Sequence, residues 1–469
     1  MKLIYQVEDK PKFGQLIVFA IQQLLAIMAA TLVVPVITNG NIAVAQMNGK
    51  ITWDLVTPMS PAAALFGAGV GTLVYVLFTM KKSPVFLGSS FAFLGSMASA
   101  FTGAATMAVG YLGLIIGAVL AGLVYVVIAL IVKACGTAWI DKLMPAVVIG
   151  PTVAIIGLGL AGNAVGDLNN GNTADARIAV LCGLITLFVT MISSVYGKKL
   201  GKLIPFIFGI IAGYVFALVL TLIGNATDTP AICILSFDAF KALLVDDKVA
   251  LTTFVAFPDF AFLNLKGCFA DFSGSYFATV AVAYVPVAFV VFAEHLADHK
   301  NISSIIEKDL LKEPGLHRTL LGDGVGSMAG ALFGGCPNTT YGESIGCVAI
   351  TKNASVATII TASVLAILIS FLSPFVAFVN SIPSCVMGGV CMALYGFIAV
   401  SGLKMVQNID LNKNKNLFVV SIILISGIGG LSMSFGEISL TTTACALILG
   451  IITNLVVKNG PEEEIAEDK

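Results

Sequence analysis

Charge is what this sequence has least of. Of 469 residues only 11% are Asp, Glu, Lys or Arg, and the formal net charge is −1. A chain so poor in basic excess has no electrostatic footprint for nucleic acid. The sequence also lacks any Cys-x-x-Cys pair; its nine cysteines are scattered, mostly inside apolar runs, and read as small core residues. No third ligand cluster accompanies the paired histidines His295 and His299, which weakens a metal reading of their i, i+4 spacing. No Ser, His and acid fall into a nucleophile arrangement, so an enzyme is disfavoured. Short alternating segments of the kind that build a membrane barrel are missing as well. The polar start, MKLIYQVEDKPK, lacks a cleavage pattern, and the first span is expected to serve as an uncleaved membrane signal.

Apolar residues fill the space that charge leaves. They make up 58% of the chain, and mean hydropathy is +0.99. Apolar runs long enough to cross a hydrocarbon core, roughly 20 residues each, recur along the whole length. The expected fold class is an all-α polytopic membrane protein with about fourteen segments. Candidate spans are 13–38, 60–80, 84–101, 110–134, 143–163, 177–196, 203–224, 275–299, 319–336, 337–351, 354–375, 383–402, 416–433 and 440–458. With the N-terminus inside, roughly 20 of the 25 Lys and Arg fall in inner loops, as positive charge prefers. Lys81, Lys82, Lys202, Lys300 and Arg318 are among them. The expectation is a multi-pass protein of the cytoplasmic membrane with both termini cytoplasmic.

Two spans are broken. KSPVFLGSSFAFLGS (82–96) and GGCPNTTYGESIG (334–346) mix Pro, Gly, Ser and Thr with aromatics, which is poor helix material. They hold corresponding places in two halves of opposite orientation. Matched interruptions in inverted halves point to a binding site at the membrane midplane. Stretches 84–93 and 337–344 are therefore expected to be partly non-helical and adjacent. The stretch between the halves contains FVAFPDFAFLNLKG (254–267), which suits either a surface-lying segment or a short hairpin. Cys233 and Cys268 share that stretch, leaving a disulfide open. The acidic PEEEIAEDK at 461–469 reads as a solvated tail.

Acids at membrane depth are the strongest functional signal. An ionisable group near the bilayer centre costs roughly 2.5–3.5 kcal/mol on insertion scales, so it tends to face a polar cavity and carry function. Glu294 closes the run AVAYVPVAFVVFAEHLADH (281–299), and Glu343 sits on the broken stretch. Asp298 lies one turn from Glu294 on the same helix face. Gly342 permits close approach to the backbone, and Ser90 can bond freed backbone groups. Phe91 offers a flat face for a ring.

GSSFAF (88–93), AEH (293–295) and PNTTYGESIG (337–346) together resemble uracil-type members of the nucleobase–ascorbate transporter family of nucleobase:cation symporters. QQLLAIMAATLVVPV (22–36), KDLLKEPGLHR (308–318) and IPSCVMGGVCMALYG (382–396) extend the likeness over nearly the whole chain. The family signature is matched by Glu343, Gly346, Thr351 and Lys352, with Ser344 in place of Asn. Two further departures are Gln22-Gln23, where the family often has Gln-His, and Asp298, where uracil permeases often carry His.

The resemblance implies two inverted seven-segment repeats, with short antiparallel strands in the third and tenth segments. It implies a core domain from 1–134 and 275–375 and a gate domain from 135–235 and 376–459. An extracellular loop at 236–274 and a cytoplasmic tail at 460–469 complete the division. Glu294 and Glu343 are implied to hold a nucleobase, Phe91 and Gly342 to present backbone N–H groups, and Tyr341 to lie beside them. Glu294, Glu343 and Asp298 are the candidate proton carriers. The function expected is proton-coupled uracil import by alternating access. A purine carrier for xanthine or urate is the alternative, followed by an anion transporter of the same broad fold. Expected partners are a nucleobase, protons and lipid, with a homodimer left open and no cofactor called for.

Overall fold

The computed structural model describes residues 3–457, apart from 55, 138, 141–143, 171–173, 199, 245–247, 408 and 436–437. The expected tail at 460–469 lies outside the described residues. The chain is predominantly helical. Its first half contains α1 (Phe13–Met47), α2 (Pro61–Phe78), β1 (Leu87–Ser89) and a 3-10 turn at Phe91–Phe93. These are followed by α3 (Leu94–Thr102), α4 (Met107–Cys135), α5 (Ala146–Gly159), α6 (Ala161–Leu168) and α7 (Ala176–Tyr196). Next come α8 (Leu200–Leu203), α9 (Pro205–Ala226) and the short α10 (Asp238–Lys241). The second half runs through α11 (Gly274–Ile306), α12 (Leu316–Gly334), β2 (Asn338–Thr340), α13 (Gly342–Thr351) and α14 (Val356–Ile369). It ends with α15 (Ser373–Asn380), α16 (Ser384–Val406), α17 (Asn414–Ile428), β3 (Met433–Phe435), β4 (Ile438–Leu440) and α18 (Thr442–Val457).

Among the described residues, eight helical stretches are long and apolar enough to cross a membrane by length and composition. Their starts carry ordinary helix signals. Ser60 accepts from the Ala63 N–H and precedes Pro61, while Thr106 and Ser273 cap α4 and α11 by accepting from Val109 and Tyr276.

The broken stretches meet. β1 and β2 pair antiparallel, with Leu87 opposite Thr340, Gly88 opposite Thr339 and Ser89 opposite Asn338. Backbone bonds continue the pairing at both ends, Ser90 N–H to the Pro337 carbonyl (2.8 Å) and Tyr341 N–H to that of Phe86 (3.3 Å). Extended backbone buried in an apolar setting needs partners for its outer edges as well. Side chains from the flanking helices provide them. Thr72 of α2 accepts from Leu87 N–H (2.9 Å), and Ser327 of α12 accepts from Asn338 N–H (2.9 Å). The Asn338 amide in turn donates to the Gly67 carbonyl (3.1 Å).

This clamp depends on close approach of α2 and α12. A Cβ on Gly67 would run into the Gly330 carbonyl, and one on Gly326 would sit 2.6 Å from the carbonyl oxygen of Gly71. No larger residue fits there. α12 also packs on α4, while α16 packs on α5, α6 and α7.

The stretch at 254–267 forms no hairpin. Val255 bridges to Leu372, and a 3-10 turn covers Ala261–Leu265. Its aromatics divide: Phe260 is buried, meets Phe66 (ring centroids 4.8 Å apart) and stacks on Phe262 (5.6 Å), whereas Phe254 and Phe257 are exposed. Phe260 anchors the stretch against Phe66 of α2 and Phe333 of α12, and the exposed Phe254 and Phe257 are rings a surface-lying segment presents. No disulfide joins Cys233 and Cys268. Cys268 is buried, and Cys233 faces Asn225 and Thr229.

Candidate functional site

α11 presents two different faces, because residues one apart point about 100° away from each other around a helix. Glu294 and Asp298 share one face and line a cavity of ≈ 340 Å³ with Gly342, Glu343 and Gly346 of α13. A smaller adjoining chamber of ≈ 50 Å³ shares Glu294, Gly342 and Glu343 and adds Phe91, Thr340 and Tyr341. The sequence-predicted residues Glu294, Glu343, Asp298, Gly342, Tyr341 and Phe91 thus border two chambers that share Glu294, Gly342 and Glu343. Thr340 of β2 donates to Asp298 Oδ2 at 2.7 Å, tying the strand pair to α11. The Tyr341 hydroxyl donates to the Ser89 carbonyl (2.7 Å), which lays its ring across Gly88.

Ser90 is not brought into this lining. It is buried, and its hydroxyl has no hydrogen-bond partner among the described residues. Its backbone N–H continues the strand ladder instead.

The other face of α11 holds His295 and His299, both fully buried. His295 places Nδ1 2.7 Å from Asp323 Oδ2 and Nε2 3.0 Å from the Thr319 hydroxyl. His299 Nδ1 lies 2.8 Å from the His295 carbonyl, which can only accept, so Nδ1 carries the proton. Its Nε2 meets the Tyr75 hydroxyl at 2.7 Å, and Tyr75 also bonds Ser83 (2.6 Å). All four ring nitrogens are engaged within the protein. The i, i+4 pair is a brace between α11, α2 and α12, and the described residues hold no His, Cys, Asp and Glu cluster suited to a metal.

Sequence reasoning missed Asp323 and the far wall of the cavity. Asp323 had a usable signal, a lone acid in the Gly-rich apolar stretch GDGVGS (322–327). Val153, Ile156, Leu394 and Ile398 had none, since apolar residues on apolar helices look alike whether they face lipid, core or ligand. Lys202, read only as an inner-loop charge, borders the larger chamber.

Two helix starts open toward this space. Phe91 begins the 3-10 turn after β1, and Gly342 begins α13 after β2. First-turn N–H groups have no acceptor within their own helix, and the helix dipole makes that end positive. Carboxylates, hydroxyls, aromatic faces and backbone donors therefore converge on one small chamber.

Apolar helices enclosing a buried polar chamber beside paired strands define an integral membrane protein of a transporter fold. The murine Slc26a9 anion transporter, solved in the inward-facing state, shares that fold: the match covers 96% of this chain and 69% of that one, at TM-score 0.61 and 11% identity. The chain belongs to the permease family, whose family model matches residues 14–434. It is 36% identical over 467 residues to the uracil permease of Bacillus caldolyticus, spanning 98% of this chain and 96% of that one. It is 37% identical over 474 residues to the uracil permease of Bacillus subtilis (strain 168), again spanning 98% and 96%.

Proposed function

We propose that this permease imports uracil across the cytoplasmic membrane together with protons, by alternating access. The observation that carries the reading is that Glu294 and Glu343, from α11 and from the start of α13, border the same chamber beside the paired strands. Uracil is a small flat ring with two N–H donors and two carbonyl acceptors. Carboxylates accept from ring N–H groups, and such charge-assisted bonds are the stronger kind. The first-turn N–H groups of Phe91 and Gly342 complement a ring carbonyl, and Phe91 and Tyr341 offer flat faces. The names of the relatives point to the same substrate. An inorganic anion is a poorer match, since three acids border the space against the single Lys202.

The strand-then-helix order recurs in both halves, β1 before α3 and β2 before α13, and the two strands run antiparallel. That supports an inverted repeat of about fourteen segments with the site at the midplane. Two packing groups support the core and gate division. α2, α11 and α12 pack on the strands and α4 packs on α11 and α12, whereas α5, α6 and α7 pack on α16. In this reading Glu294 and Glu343 bind the base, and one of them takes up the outside proton. Asp298, a turn nearer the inner end of α11, helps release it. Alternating access moves the two groups against each other around the bound base.

Uptake of labelled uracil into proteoliposomes tests this reading. An inward proton gradient should drive accumulation above the equilibrium level, and unlabelled uracil should compete better than xanthine or bicarbonate. Uptake indifferent to the gradient would remove proton coupling. Stronger competition by xanthine or bicarbonate would reassign the substrate.

A further inference from the structure

Two of the three departures from the family pattern touch each other. Gln23 on α1 and Ser344 on α13 are 321 positions apart, and both are buried. The Gln23 side-chain amide donates to the Ser344 hydroxyl and lies 3.4 Å from the Ser344 carbonyl. The same hydroxyl accepts from the Phe86 N–H at 3.0 Å. Phe86 returns the link, because its carbonyl accepts from the Tyr341 N–H. The result is a closed bracket joining α1, the entry to β1 and the first turn of α13.

Ser344 follows Glu343 directly, so the bracket fixes the turn from which that carboxylate and the Gly342 N–H project. The preceding residue, Tyr341, gives α13 no side-chain cap, so its first turn relies on such outside ties. Reach is divided in an unusual way. A long flexible amide comes from α1 and a short hydroxyl from α13, where the family pattern has a rigid imidazole at 23 and a longer amide at 344. Changing one side alone leaves a gap or an overlap in a closely packed place, and loss of the Ser344 hydroxyl also leaves the Phe86 N–H without its acceptor.

We propose that Gln23 and Ser344 are a matched pair of positioning residues that hold Glu343 and Gly342 in the geometry for binding the base. This rests on the uracil reading for its ligand, while the bracket itself rests on contacts within the chain.

The test uses the purified full chain in detergent with two readouts. One is uracil affinity by scintillation proximity. The other is hydrogen–deuterium exchange of peptides covering 86–90 and 341–346 without ligand. Ser344→Ala should weaken uracil binding about tenfold and raise exchange in those two peptides. Ser344→Thr, which keeps the hydroxyl, should bind within about threefold of wild type. Gln23→His and Ser344→Asn should each weaken binding about tenfold, and the double variant should recover most of that loss. Additive losses in the double variant, or exchange at 86–90 unchanged in Ser344→Ala, would overturn the pair. Should Ser344→Ala fail to fold, the threonine and double variants still decide. A wild-type chain that binds no uracil would refute the proposed function, and exchange alone would then judge the bracket.

Discussion

Thr340 donates its hydroxyl proton to Asp298 across 2.7 Å, so the strand that borders the chamber is fastened to the helix that carries Glu294. The bond sets Asp298 in a position to respond to what happens at the strands. It also leaves one carboxylate oxygen of Asp298 for other partners, such as a proton in transit.

If Asp298 releases the proton, Asp298→Asn should lose gradient-driven accumulation of uracil and keep uracil exchange at equilibrium. Transport against a proton gradient, measured beside exchange without one, separates these. Full accumulation in the variant would make Asp298 structural and leave the two glutamates as the proton carriers.

Glu343→Gln should weaken uracil binding about tenfold or more, since a neutral amide replaces a charge-assisted acceptor. The amide can also donate, so relative affinity should shift toward xanthine. Competition binding on the purified variant reads both effects. An unchanged uracil-to-xanthine ratio with unchanged affinity would take Glu343 out of the site.

The glycine contact between α2 and α12 should govern stability. Gly67→Ala should lower the unfolding temperature and cost about 1–3 kcal/mol, because the added methyl meets the Gly330 carbonyl. Gly14→Ala, on α1 with nothing within 4 Å of the added methyl, should leave it unchanged or slightly higher. Thermal unfolding in one detergent compares them. Equal melting of Gly67→Ala and wild type would show that the helices separate freely here.

Lys82 and Glu313 form an exposed ion pair between two loops, and the Lys82 ammonium holds the Glu313 carboxyl below its ordinary range. A carboxyl depressed in the folded state stabilises above its unfolded pKa, and the contribution fades as pH falls through the folded value. Lys82→Gln should therefore melt slightly below wild type at pH 7, with the difference vanishing toward pH 3. The shift should be small because both groups are screened by water. A difference that grows with acid would reverse the assignment.

Much of the site was legible in the sequence because it breaks the rules of its surroundings. Pro337, Gly342 and Gly346 cannot continue an ordinary apolar helix, and Glu294 with Asp298 puts charge where charge is costly. Those violations marked the strand stretches and the acids. The register of β1 on β2 was not legible, since Thr72 and Ser327 meet the strands from elsewhere in the chain and Asn338 of β2 reaches out to Gly67. Nor was the use of His295 and His299 as a brace, because their spacing does not show that Asp323, Thr319 and Tyr75 arrive from other helices. Which rings around Phe260 are buried was not legible either: alternation along the chain does not say whether a ring finds lipid or other rings.

Binding of uracil to purified wild-type protein and to Glu294→Ala, side by side in a calorimeter, tests the central claim most directly. Wild type should bind uracil at one site. Glu294→Ala should show no measurable heat while keeping the wild-type unfolding profile, because the ring N–H groups lose their charged acceptor. Equal uracil affinity in the two proteins would contradict the account.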